Sequence, residues 1–318
     1  MIRGPAAVLL MLLTALPPAA GALPDFRLQK IASGVWAAIV NDEGLAGANA
    51  GFVIGDDGVA VIDTFQDPLP AKAMLDEIRK LTTLPIRFVV NTHYHLDHVN
   101  GNDVFAAAGA TIVAHPGVRA WMRTENIKML DPPVTPEKKA RVQSLTLPTV
   151  VYDGHIDLYL GSRRIDVRYF PGHTGGDSVV WIPDAHVVFC GDMLWKEHVP
   201  NLIDATTKAW VESIAAMQKD YAPATWVPGH GDVANAADVV TFQKYLAELR
   251  AAVRHEQAAG KSGDALVQAL LPGLKANYGR WGFFADYAGA GIEQTAQELL
   301  GTKRLPPIGE WGRSLARR

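Results

Sequence analysis

Apolar positions along the chain fall into two textures, short nearly unbroken runs and runs at helical spacing. The segments GVWAAIV (34–40), AGFVIG (50–55) and VAVIDTF (59–65) are rich in β-branched and aromatic residues and predict strands. GDDG (55–58) joins the last two as a tight hairpin turn. In PLPAKAMLDEIRKLT (68–82), Leu69, Ala73, Leu75, Ile78 and Leu81 recur at a helical spacing behind a proline-rich start. IRFVVNT (86–92) is almost wholly apolar, as a strand buried on both faces would be. NDVFAAAG then reads as a helix closed by Gly109, and ATIVAH as the next strand.

The second half repeats this texture. RRIDVRYF (163–170), SVVWIP (178–183), HVVFCGD (186–192) and TWVPGH (225–230) predict strands, and KAWVESIAAMQKDY (208–221) a helix. Strands and helices mixed in two similar halves imply two sheets packed face to face with helices outside. Beyond 235 the pattern becomes helical. ADVVTFQKYLAELRAAVRHEQAAG (237–260) is a long amphipathic helix, and SGDALVQALLPGL and GIEQTAQELLG predict two more. Between those two lies YGRWGFFADYAG, dense in aromatics that either pack this extension onto the domain or line a substrate groove.

The N-terminus departs from both textures. MIRGPAAVLLMLLTALPPAAGA has Arg3, an apolar stretch from Ala6 to Leu16, and the small-x-small pattern Ala20-Gly21-Ala22. The stretch is shorter than the roughly 20 residues that span a bilayer, so residues 1–22 read as a secretory signal peptide. The expected division is therefore a signal at 1–22, a catalytic domain at 23–235, and a helical extension at 236–318 packed on it. The expected location is periplasmic or secreted, with no membrane contact after cleavage.

Composition fits a globular chain: 48% hydrophobic and 20% charged residues over 318 positions, with a net charge of −3. That mild charge gives no dominant attraction to nucleic acid, and the basic end GRSLARR reads as a solvated tail. Cys190 is the single cysteine, so no intramolecular disulfide forms. The expected partner is a small-molecule substrate.

The chemistry is concentrated where predicted strands end. NTHYHLDHVNGN (91–102) places His93, His95, Asp97 and His98 within six positions, directly after an apolar run. PGHTGGDS puts His173 in a glycine-rich turn, FCGDM puts Asp192 at a strand end, and VPGHGD puts His230 at another. Imidazole and carboxylate suit zinc, and also iron or manganese. Loops held at the ends of a rigid sheet are where sites are built. The other histidines, His115, His155, His186, His198 and His255, lack this context.

HYHLDH, GHT, GD and GH, in that order, with Asp63 in VIDTF before them, resemble the motif set of the metallo-β-lactamase superfamily. The resemblance covers about residues 30–235 and implies an αββα sandwich of the α+β class with the site at one edge between the sheets. It implies that His93, His95 and His173 hold one metal ion, that Asp97, His98 and His230 hold a second, and that Asp192 bridges them. Asp63 would orient the ligand loop. Two zinc ions held this way would share a hydroxide acidified to near neutrality, which attacks a carbonyl carbon, with Asp97 orienting it.

An aspartate at the bridging position resembles glyoxalase II-like hydrolases and lactonases more than the β-lactamases that use a cysteine there. Cys190, two positions earlier, reads as a core residue. Lys196, Asn201 and the pair Asp204-Ala205 nevertheless resemble the exported β-lactamases, in which a lysine binds the substrate carboxylate and an asparagine assists the oxyanion. The expectation is thus a β-lactam-type substrate, with Asp97, Lys196 and Asn201 as catalytic residues. The alternatives are a lactonase or thioesterase, an iron-dependent oxidoreductase of the sulfur dioxygenase kind, or a periplasmic metalloprotein relaying in quinoprotein systems. The glycine-rich NDEGLAGANAG (41–51) reads as a simple connection rather than a closing loop.

Overall fold

The computed structural model describes residues 25–41, 44–130 and 132–307. The expected signal peptide and the basic tail lie outside them. Seven strands form the first sheet, in sequential order: β1 Phe26–Ala32, β2 Val35–Val40, β3 Ala50–Ile54, β4 Val59–Ile62, β5 Ile86–Val90, β6 Thr111–Ala114 and β7 Val150–Val151. β1 to β4 run antiparallel, whereas β4 to β7 pair in parallel. Parallel neighbours need a crossover. Here the crossovers carry α1 Pro68–Leu81, α2 Leu96–Val99, α3 Asn102–Ala107, α4 Pro116–Trp121 and α5 Pro136–Gln143.

The second sheet has the order β12-β11-β10-β9-β8, from β8 His155–Leu160, β9 Arg163–Tyr169, β10 Ser178–Ile182, β11 Val187–Trp195 and β12 Thr225–His230. It is antiparallel except for β11 and β12, which are linked through α6 Thr207–Tyr221. Every residue of β11 is buried, as expected for a strand covered on both faces.

Four layers follow from where the apolar faces go. Val35, Val53, Ile62 and Val90 of the first sheet meet Ile165, Val180, Phe189 and Val227 of the second in a core between the sheets. Outside the first sheet, Met74 and Ile78 of α1 and Phe105 of α3 pack on Phe52, Val61 and Val89. Outside the second sheet lie α6 and the C-terminal helices α7 Ala236–Ala258, α8 Gly263–Tyr278 and α9 Phe284–Leu299. One continuous apolar cluster joins Val188 and Cys190 of β11, Trp210 of α6, Phe242 and Leu246 of α7 and Ile292 of α9. The extension is therefore packed into the core of the domain, and Cys190 is a buried part of that core.

Most expected elements are present close to their expected limits. The main difference is α9, which starts at Phe284 and takes in aromatic residues expected to precede it. No polar cap marks that start, because Phe283 occupies the cap position in a left-handed conformation, φ 57° and ψ 14°. Among the described residues, no helix is long and apolar enough to cross a membrane.

Candidate metal centre

The backbone brings the four chemical segments to one place. β5 runs out into the turn that carries His93 and His95, and α2 then presents Asp97 and His98. His173 follows β9, Asp192 sits in the irregular end of β11, and His230 closes β12. Two groups of side chains result: His93, His95, His173 and Asp192, and Asp97, His98, Asp192 and His230. Within each group the donor atoms lie within 4.8 Å of one another.

Asp192 belongs to both groups and divides its oxygens between them. Its Oδ2 is 3.2 Å from His173 Nε2 and 3.5 Å from His93 Nε2. Its Oδ1 is 3.1 Å from His98 Nε2 and 3.4 Å from His230 Nε2. His230 Nε2 is also 3.4 Å from Asp97 Oδ2. Donors about 2.1 Å from a tetrahedral zinc stand about 3.4 Å apart, so this spacing fits such an ion. The nitrogens of His93, His98 and His230 that face this point are buried and make no hydrogen bond, nor does Asp192 Oδ1. Buried polar atoms without partners are rare, and aimed together like this they form a cation site.

The outward faces of the imidazoles are held. His98 Nδ1 lies 2.8 Å from Asp63 Oδ2, and Asp63 also accepts from the Thr92 amide at 2.8 Å and the Thr92 hydroxyl at 2.7 Å. The Asp63 carboxylate thus ties the end of β4 to the ligand turn and orients His98. His95 Nε2 faces Asp204 Oδ2 at 3.4 Å, and Asp204 is fixed by the Tyr94 hydroxyl and by Lys128 Nζ at 2.5 Å. Asp177 accepts from the amides of Gly172, Thr174 and Gly175 and from the Thr174 hydroxyl, which sets the turn that carries His173. Asn91 and Asn102 exchange amide bonds at 2.9 and 2.8 Å beneath α2.

Gly229 is required by close approach. A Cβ there would stand 2.0 Å from Asp192 Oδ1.

The electrostatics separate the two groups. Burial pushes the His93 imidazolium down, and the neighbouring His98 adds to this. Burial also acts against protonated His98, but Asp192, Asp97 and Asp63 outweigh it and raise this group well above the ordinary value. His230 follows the same balance, raised to about 9 by Asp192 and Asp97 against its burial. The second group, with two carboxylates, is the more anionic.

A family model, the metallo-β-lactamase superfamily, matches residues 44–253. The chain belongs to the metallo-β-lactamase superfamily. It is 29% identical over 185 residues to a hydroxyacylglutathione hydrolase of Methylococcus capsulatus, a match that covers 58% of this chain and 63% of that enzyme. The chain thus matches less than two thirds of that relative's length. Among solved structures, a metallo-β-lactamase from Pontibacter korlensis superposes with a TM-score of 0.59 at 23% identity, covering 70% of this chain and 99% of that one. TMB-1 superposes at 0.57 and 22%, covering 71% and 98%. At these identities the two structures establish the fold alone.

A cavity of about 330 Å³ opens onto the donor groups and is lined by Asp97, Asp192 and His230, with Asn201, Trp195, Phe283 and Tyr287 among its walls. The side-chain Oδ1 of Asn201 accepts from Ile203 N at 3.0 Å. Lys196 does not line this cavity: its ammonium donates to Val233 O at 3.0 Å and pairs with Asp238 of α7 at 3.4 Å. The carboxylate of Asp238, in the first turn of α7, draws the lysine away.

Asp204, Asp177 and the Asn91–Asn102 pair carry roles that the motifs alone do not assign. Asp177 and the asparagines stand inside or beside those motifs, which is the signal the sequence offers. Asp204 lies 109 positions from His95, and only the fold joins them. His115 serves the scaffold instead. It caps α4 by accepting from Gly117 N at 3.2 Å and stacks on Tyr169.

Proposed function

We propose that this protein is an exported, two-zinc hydrolase that cleaves an ester-, thioester- or amide-type bond by water attack on the carbonyl carbon. The observation that carries the reading is the shared carboxylate: Asp192 turns one oxygen to each donor group, and both groups open onto one cavity. His93, His95, His173 and Asp192 would hold one ion, and Asp97, His98, His230 and Asp192 the other. Bound there, the ions supply a water acidified to near pH 7 and polarise the substrate carbonyl.

The chain's own groups do the rest. Asp97 is the most open of the donors, with 24% of its side chain exposed against 2% for Asp192. It therefore faces the cavity and can accept the proton of the attacking water, then pass it to the leaving group. With its oxygen engaged by Ile203, Asn201 has its Nδ2 to offer a developing oxyanion. Asp63 and Asp204 keep His98 and His95 in fixed orientation, so substrate binding does not have to order them.

Export rests on the N-terminal motif. As for substrate, the lysine that favoured a β-lactam is tied up elsewhere, and the Methylococcus relative is by its name a hydrolase of hydroxyacylglutathione, a thioester. These support an ester- or thioester-type substrate over a β-lactam. The test is hydrolysis of a chromogenic cephalosporin, a lactone and a thioester by zinc-loaded protein, with metal content measured on the same sample. Inactivity on all three with both ions bound contradicts the hydrolase reading. An iron-dominated protein with a visible absorption band contradicts the zinc assignment.

A further inference from the structure

One wall of the cavity comes from outside the strand-end motifs. Phe283 and Tyr287, half-buried at the start of α9, line it beside Trp195. The Trp195 ring lies on the His230 imidazole with centroids 3.9 Å apart and planes 28° apart. Phe283 meets His230 edge-on at 5.8 Å, and is 6.0 Å from Trp195 and 5.7 Å from Tyr287. The aromatic wall is therefore continuous with the second donor group.

The wall is fixed in place. Gly282 N donates to Glu197 O at 2.9 Å, and Val199 N donates to Gly282 O at 2.9 Å, which stitches the start of α9 to the segment after β11. A Cβ at residue 282 would stand 2.3 Å from the His198 ring, so only glycine permits this approach. Next to it Phe283 holds a left-handed conformation that an aromatic residue rarely adopts. Strain of this kind persists where surrounding contacts enforce it, and it clusters at functional sites.

The charge of the cavity points the same way. Among its described lining residues none is lysine or arginine. The lysines nearby are committed elsewhere: Lys196 to Val233 and Asp238, Lys128 to Asp204 and Glu125. The cations of the next groove along, Arg141, paired with Asp67, and Lys138, lie past Gln66 and Leu96 and not on the aromatic wall. A substrate carboxylate set against this wall would meet no lysine or arginine among the described lining residues.

We propose that Trp195, Phe283 and Tyr287 form a specificity subsite for an uncharged, planar apolar group next to the scissile carbonyl. The inference rests on the hydrolase reading for which bond is broken, but not for what the wall binds. Aromatic side chains seat planar apolar groups by offset or edge contacts as well as by area. An anion set against the rings would lose its hydration with no lysine or arginine in the described lining to replace it.

Two measurements test this. The first is calorimetric binding of a neutral aryl amide and of its carboxylate-bearing analogue to the zinc-loaded protein. The neutral compound should bind about tenfold more tightly, and both Phe283→Ala and Tyr287→Leu should remove most of that preference. The second is hydrolysis of the matching aryl esters. The same variants should raise KM about five- to tenfold for the neutral ester while kcat stays within about twofold. Equal or tighter binding of the carboxylate compound overturns the proposal, and so does unchanged KM and affinity in both variants when circular dichroism shows them folded. If the neutral amide binds through the wall but no ester is cleaved, the hydrolase reading fails and the subsite stands.

Discussion

The floor and the wall of the cavity are built on different terms. The floor consists of seven donor side chains at strand ends and in α2, all buried but Asp97, with His98 and His95 held by Asp63 and Asp204. The wall consists of three aromatic rings, two of them from the C-terminal helices. The floor has short, directional contacts and little freedom of residue type. The wall has ring contacts of 5.7 to 6.4 Å, held by a backbone stitch to the segment after β11. The difference suggests a division of labour in which the floor decides how a bond is broken and the wall decides whose bond it is.

Substitutions in the floor should therefore act on kcat and metal content. Asp97→Ala should lower kcat/KM by at least about a thousandfold with the far-ultraviolet circular dichroism unchanged, because it removes both a donor and the acceptor facing the attacking water. Turnover close to wild type would remove Asp97 from the mechanism. Gly229→Ala pushes a methyl into Asp192 Oδ1 and should cost about a hundredfold in kcat, with loss of bound metal. Asp204→Asn leaves the donors in place but weakens the hold on His95. It should cost about 10- to 100-fold in metal affinity, read by titration against a competing chelator. If Asp204→Asn matched the wild type, orientation of His95 would not depend on this carboxylate.

Two further substitutions should leave turnover at pH 7 within about twofold and so mark the limits of the site. Lys196→Ala removes a cation that faces α7 rather than the cavity. His115→Asn keeps a cap on α4 but deletes a buried imidazole. Burial lowers His115 from 6.5 to about 4, so between those values the unfolded chain takes up the proton first. Its contribution is complete above pH 6.5 and is lost as pH falls toward 4, up to about 3 kcal/mol. Thermal unfolding between pH 7 and 4.5 should fall less steeply in His115→Asn than in the wild type. A parallel fall would show that this imidazole does not govern the acid transition.

The same contrast explains what can be read from the residues alone. The floor is legible because strand ends are marked by apolar runs that break into glycine, and because ligand residue types are few. His93, His95, Asp97, His98, His173, Asp192 and His230 all meet where the motifs place them. The sheets are legible for the same reason, down to the turn at 55–58, where Gly55 N bonds Gly58 O at 2.9 Å. The wall is not. Phe283 and Phe284 are ordinary core residues by type, and only the stitch of Gly282 to the strand end separates the ring that enters the cavity from those that pack, such as Trp281 against Tyr245. Lys196 fails in the opposite sense. Its position after Asp192 resembles a substrate-binding lysine, but the direction of its side chain is decided by Asp238, 42 residues later and in contact only through folding.

The most direct test of the two-metal floor is the number of metal ions bound per chain, measured by elemental analysis after reconstitution with zinc and removal of loosely held ions. Two ions in the wild type, falling below one in Asp192→Ala, is the result expected if this carboxylate bridges the two groups. A single ion in the wild type, or two retained in Asp192→Ala, would contradict it.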